Sequence, residues 1–332
     1  MKKENHLILN IKNVGQPYWP TLKLILSSLI VFNFYLNLVD KNKYSLLITA
    51  FDLTLIPMFV FIVAFITKNT TWKELKSHLL PALIIYFTFQ TIDMVPLYFT
   101  GELTLKKYLF SPQYGVWFFL ATPIWQAVFL LLPESFKSNK FNLSEILITS
   151  LIISFITKTY LIPISSFFSI ILYFPFFVIA YFIHNQNIFS LRKKPIITIF
   201  CIAFLAITFL NYRNDFYEII FGAIKTNLIL NSFIIYIFDF VISLILGSII
   251  IYFALSTQKY AKISNNALGV YLIHPIICFV ILQILSFLDI ELNLLLIIAF
   301  TLSTITIALL LASNSIIHWF IEPVLRFNKL KE

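Results

Sequence analysis

Stretches of about twenty apolar residues recur along almost the whole chain, and nothing else constrains its fold so strongly. A helix rising 1.5 Å per residue needs about 20 residues to cross ~30 Å of hydrocarbon. Ten stretches reach or approach that length: 18–39, 44–66, 79–99, 115–133, 143–160, 161–183, 196–211, 227–255, 266–287 and 293–320. They are apolar throughout and do not alternate with polar residues, which argues for helices and against the strands of a membrane barrel. The expected fold is therefore all-α, a polytopic integral membrane helix bundle of about ten transmembrane helices. Only "YLIPIS" separates the fifth and sixth stretches, so a tight pair or one broken helix is expected there.

Composition leads to the same class. Hydrophobic residues make up 60% of the 332 and charged residues 12%, where a soluble globule carries about 25%. The start, "MKKENHLILNIKNVGQP", has no long apolar core and no small-residue cleavage site, so no cleavable signal peptide is expected. Cys201 and Cys278 lie in apolar runs and read as packed thiols. The net charge of +9 comes from cations scattered through short loops, which fits membrane orientation better than nucleic-acid binding.

Those cations are unevenly shared. With the N-terminus inside, sixteen fall on inner segments and seven on outer ones, and Lys23 lies within the first span. Cations favour the cytoplasmic side, so both termini are expected to be cytoplasmic. The N-terminal segment is then 1–17, the membrane domain 18–322 and the C-terminal tail 323–332. The outer loops "GELTLKKYLFSPQYG" and "NYRNDFYEIIFGAIKTN" mix aromatics with charges. They suit interfacial anchoring, or the mouth of a binding cavity.

Ionisable groups inside a membrane are costly and point to function. His274, in "NNALGVYLIHPIICFVIL", lies about nine residues into its span, or ~13 Å deep. Pro275 follows it and frees a carbonyl one turn back. The imidazole could satisfy that carbonyl or carry protons. Asp52 and Asp239 are near mid-depth and could pair with Lys23 or His274. Asp93 and His318 lie near span ends, within reach of water. On the inner side, Lys73 and Lys76 share a helix face just before a span, with His78 and Trp72 beside them. They could be orientation charges or a cradle for a phosphorylated donor.

These features, in this order, resemble the membrane acyltransferase-3 family, most closely its fucose 4-O-acetylase-like branch, which includes membrane proteins of intercellular-adhesin polysaccharide synthesis. The resemblance runs over about 18–326, through "YWPTLKLILSSLIVF", "LIPMFVFIVAF", "SHLLPALIIYF", "GVWFFLATPIW", "YFPFFVIAYFI" and "ALGVYLIHP". It implies transfer of an acyl group, usually acetyl from cytoplasmic acetyl-coenzyme A, to a hydroxyl of a cell-surface polysaccharide. It also implies a plasma-membrane location and a possible glycan synthase partner, with no metal and no nucleic acid.

The family's first span carries an acidic residue, a cation and, eleven residues later, a catalytic His. Here the cation is Lys23, the acidic position is Pro20, and the His position is Phe34, preceded by Asn33. The second-span Phe-His-Met-Pro becomes Thr54, Leu55, Ile56 and Pro57. The Arg pair thought to engage the donor falls on Leu75 and His78, with Lys73 and Lys76 at the same spacing two residues earlier. The "YLIHP" segment keeps His274.

The expectation is thus an O-acyltransferase with catalytic residues His274, Lys23, Asp52 and Asp239, converging on an internal cavity. Lys73, Lys76 and His78 would contact the donor, acetyl-coenzyme A or another acyl-coenzyme A, at its cytoplasmic entrance. The alternative is a degenerate relative that exports or flips a surface polysaccharide or supports its synthase. An unrelated transporter or sensor is the third possibility.

Overall fold

The computed structural model describes residues 17–39, 41–138, 140–211, 228–257, 259–290 and 292–323, and among these every regular element is helical. The principal helices are α1 (Trp19–Leu36), α2 (Lys41–Thr67), α3 (Trp72–Asp93), α4 (Trp117–Leu131), α5 (Lys140–Ile156), α6 (Phe174–Phe182), α7 (Asn185–Arg192), α8 (Ile196–Asn211), α9 (Leu228–Phe253), α10 (Ala267–Phe287), α11 (Leu294–Ala312) and α12 (Ser315–Ile321). The expected terminal segments 1–17 and 323–332, apart from residues 17 and 323, and most of the expected second outer loop lie outside the described residues.

Seven helical segments are long and apolar enough to cross a membrane, and an eighth if the bent pair 166–182 and 185–192 is one span. The protein is a multi-pass membrane protein. Trp117–Leu131 and Ile196–Leu210 are apolar but shorter, so three of the ten expected spans do not reach full straight length. The fifth and sixth expected spans are separate helices. α5 runs on through a π-helical turn at Thr157–Leu161, and the chain then passes through the short helices Ser166–Phe168 and Ser169–Leu172 before α6. The sharp bend, 88°, comes one helix later, between α6 and α7.

The core forms where α1 packs against α2, α10 and α11, with α2 also lying against α6 and α9. The polar residues of α1 serve that packing. Ser27 donates to the carbonyl of Ala267 at 3.1 Å, Thr21 bonds Ser264 at 3.0 Å, and Tyr35 bonds Thr304 at 2.8 Å. With no water to satisfy them in hydrocarbon, such groups are held by neighbouring helices. Small residues let α10 and α11 approach closely: a Cβ on Gly269 would collide with the Ala312 side chain.

α3 starts where a capping box is written into the sequence. Thr71 accepts from the Glu74 amide while Glu74 accepts from the Thr71 amide, which satisfies two orphan donors of the first turn. Lys73, Lys76 and His78 therefore sit on α3 itself, in its exposed first two turns, and not before it.

Candidate functional site in the α1–α10 seam

His274 is buried in α10, 2% exposed. Pro275 has no amide hydrogen, so the carbonyl of Tyr271, four residues earlier, loses its helical donor. His274 Nδ1 lies 2.7 Å from that carbonyl oxygen. A carbonyl can only accept, so Nδ1 carries the hydrogen, and in the neutral ring Nε2 keeps a lone pair. The structural role expected of this histidine is thus observed, and it fixes a tautomer with a basic nitrogen to spare.

Aromatic rings wall the imidazole. Phe34 of α1 meets it edge-on, ring centres 6.2 Å apart and 85° between planes. Tyr271 lies 6.3 Å away. Tyr114 reaches Phe34 at 5.9 Å, so a residue of the loop before α4 closes the same cluster.

Tyr114 is there because its loop is nailed down. Gln90 of α3 is fully buried. Its Nε2 donates to the carbonyls of Tyr108 (2.9 Å) and Ser111 (3.3 Å), and its Oε1 accepts from the Gln113 amide (3.0 Å). Ser165 and Ser166 donate to the carbonyls of Phe110 and Pro112. The Val116 amide then returns to the Gln113 carbonyl at 3.0 Å, with φ of 41° at Tyr114 and 90° at Gly115. Two positive φ values inside that bond match a type I′ turn, which suits Gly but strains Tyr. The Tyr271 hydroxyl donates to the Gly115 carbonyl at 3.1 Å.

Asp93, at the end of α3, lies within electrostatic reach of Tyr114 and Tyr271. It is 3% exposed. The expectation that it reaches water is wrong, because the loop bound to Gln90, one turn earlier on α3, brings Tyr114 to that end of the helix. Neither carboxyl oxygen has a hydrogen-bond partner among the described residues, a costly state for a buried acid.

The other expected site residues do not all gather here. Asp52 accepts from Asn33 Nδ2 at 2.9 Å, not from Lys23 or His274. Asn33 is next to Phe34, so Asp52 borders the cluster through it. Asp239 pairs with Lys158 at 3.4 Å in the α5–α9 seam, with Tyr236 and Ser154 beside it. Lys23 is eleven residues before Phe34, or ~16 Å down the helix, and its electrostatic partner is Glu322. Convergence of Lys23 and Asp239 on His274 is therefore not observed. His318 is exposed on the separate helix α12, 4.0 Å from Glu322. Cys278 is a buried thiol as expected, but Cys201 is exposed on the outside of the bundle.

Two clefts are also present, and neither is lined by an expected site residue. One, of about 490 Å³, lies in the loop between α3 and α4 among Tyr98, Thr104 and Tyr108. The other, of about 280 Å³, opens between Phe136, Glu145 and Phe174.

The chain matches no family model, no curated protein and no solved structure. Three residues of the cluster, Gln90, Tyr114 and Tyr271, are not among those expected from sequence. Their roles depend on backbone partners and a turn far away in sequence, and a buried Gln among apolar neighbours is the one available signal.

Proposed function

We propose that the protein is a membrane O-acyltransferase that moves a short acyl group, acetyl in the simplest case, from a cytoplasmic acyl-coenzyme A to a hydroxyl of a cell-envelope polysaccharide. One observation carries this reading: His274 has its Nδ1 hydrogen committed to the Tyr271 carbonyl and its ring against Phe34, and Nε2 has no hydrogen-bond partner among the described residues. Phe34 is the position that aligns with the catalytic His of the acyltransferases this sequence resembles. A base lost from α1 is thus replaced by one across the seam on α10.

In this reading Nε2 takes the proton of the acceptor hydroxyl. The hydroxyl oxygen bonds to the acyl carbonyl carbon, the carbon–sulfur bond breaks, and the departing thiolate receives the proton from Nε2. Asp93, buried near Tyr114, accepts a hydrogen bond from a neighbouring sugar hydroxyl and orients the ring. Asp52, through Asn33, stiffens the α1 side. Lys73, Lys76 and His78, exposed at the start of α3, meet the phosphates of the donor. Lys23 and Asp239 hold the bundle through Glu322 and Lys158 and take no part in the chemistry.

The topology belongs to the same reading. The seven long segments, the bent pair and the two shorter helices make ten crossings of the plasma membrane. That count returns the C-terminus to the cytoplasmic side, in line with the cation asymmetry.

The test compares envelope polysaccharide from cells lacking the protein, cells expressing it, and cells expressing His274→Ala. The acyltransferase reading expects O-acetyl ester only with the intact protein. Equal ester content in all three would reject it and favour the alternative, export or flipping of a polysaccharide. Full ester content with His274→Ala would reject His274 as the base.

A further inference from the structure

The elbow after α6 gathers four cations that no carboxylate neutralises among the described residues. At its near end, Lys68, just past α2, donates to the carbonyl of Ile183 at 3.0 Å and to Asn185 Oδ1 at 3.4 Å. Its ammonium also lies 4.2 Å above the Phe65 ring. At the far end, Arg192 donates to the carbonyl of Ile251 at 3.0 Å and to the Ser256 hydroxyl at 2.6 Å. Lys193 sits 3.9 Å over the Phe189 ring, and Lys194 follows, its carbonyl held by the Tyr252 hydroxyl.

Every one of these partners is neutral. Burial holds the Lys68 ammonium below its ordinary value, and no acid nearby raises it again. Lys193 and Lys194 are exposed. Among the described residues no acid balances this charge, so the cluster is suited to an anionic ligand.

The place restricts what can bring it. α7 is turned 88° from the preceding helices, so if those cross the bilayer, α7 lies along its surface. α2 and α9 both end beside it, and the Tyr18 amide bonds the Leu255 carbonyl at 2.8 Å on the same rim. The two cationic ends are separated by the length of α7, about 10 Å. On that placement the Phe65 and Phe189 rings under Lys68 and Lys193 would lie where acyl chains meet headgroups. A basic pocket between helix ends in this position matches the phosphate of an anionic phospholipid.

We infer that the α7 elbow, through Lys68, Arg192, Lys193 and Lys194, is a binding site for an anionic phospholipid headgroup. The lipid phosphate sits over α7 and ties the ends of α2 and α9 together. The site is independent of the acyltransferase reading.

The full chain, purified in neutral detergent, is titrated with dioleoyl phosphatidylglycerol and with dioleoyl phosphatidylcholine, and its thermal midpoint is followed by tryptophan fluorescence. Phosphatidylglycerol should raise the midpoint at lower concentration than phosphatidylcholine. Lys193→Gln with Lys194→Gln should weaken that response roughly 30-fold, at about fivefold per surface cation lost. Lys106→Gln with Lys107→Gln, in the first outer loop, should leave it unchanged. Lys68→Gln and Arg192→Gln should weaken it further, and the exposed pair decides the matter if these do not fold. Equal responses to the two lipids would overturn the inference, as would an unchanged response in the Lys193, Lys194 variant. Displacement of phosphatidylglycerol by millimolar pyrophosphate or coenzyme A would overturn it too, and assign the site to a soluble phosphate ligand.

Discussion

His274 turns its Nδ1 onto the Tyr271 carbonyl, 2.7 Å away, and that carbonyl is the one Pro275 leaves without a helical donor. The proline and the histidine therefore act as a unit. A helix break beside a lone imidazole selects which nitrogen bears the proton.

Pro275→Ala restores an amide that competes for the Tyr271 carbonyl, so the tautomer should no longer be fixed. Nitrogen NMR of histidine-labelled protein, assigned by difference from His274→Gln, should show one Nδ1-protonated species in the native protein and a tautomer mixture in the variant. A single unchanged species in Pro275→Ala would show that the proline does not set the tautomer.

Gly115 is needed twice, for its φ of 90° and because a Cβ there would run into the Tyr271 hydroxyl. Gly115→Ala should cost at least about 2 kcal/mol from backbone strain alone, with the collision in addition. Adding Tyr271→Phe removes the colliding oxygen but not the strain, so the double variant should recover part of the loss. Thermal midpoints in detergent measure both.

Gln90→Leu removes the partner of two carbonyls and one amide at once. Unsatisfied buried groups cost about 1–3 kcal/mol each, so the 104–116 segment should come loose before the bundle does. Limited proteolysis should then cut near Lys106 and Lys107 faster in the variant than in the native protein. Equal cutting rates would mean that the serines at 165 and 166 hold the loop unaided.

Phe34 marks where a base on α1 would stand. Phe34→His combined with His274→Gln should recover transfer activity lost in His274→Gln alone, since the two rings share one cluster. Failure to recover, in a double variant that elutes as a single folded species, would separate the two positions functionally.

Much of the fold is legible in the residues. Hydrocarbon thickness and run length locate the long helices, and Pro275 identifies the carbonyl that His274 meets. The partners of the acids are not legible. Asn33 reaches Asp52 only because α1 and α2 pack side by side. Asp239 finds Lys158 because α5 continues through a π-helical turn that carries the lysine across. Asp93 is buried against expectation because position within a span does not reveal a loop folding back over the helix end. The fasteners of the loop between α3 and α4, Gln90, Ser165 and Ser166, bind backbone atoms, which carry no sequence signature, so its residues alone leave interfacial anchoring and a cavity mouth equally open.

The most direct test of the acyl-transfer account uses membranes from cells expressing the native chain or His274→Gln, incubated with acetyl-coenzyme A labelled in its acetyl group. Label in envelope polysaccharide is then measured after base-sensitive release. The account predicts native-dependent labelling and a fall of roughly 10²–10⁴-fold in His274→Gln, the range a general base supplies. Labelling by His274→Gln at the native rate, or none with the native protein, would contradict it.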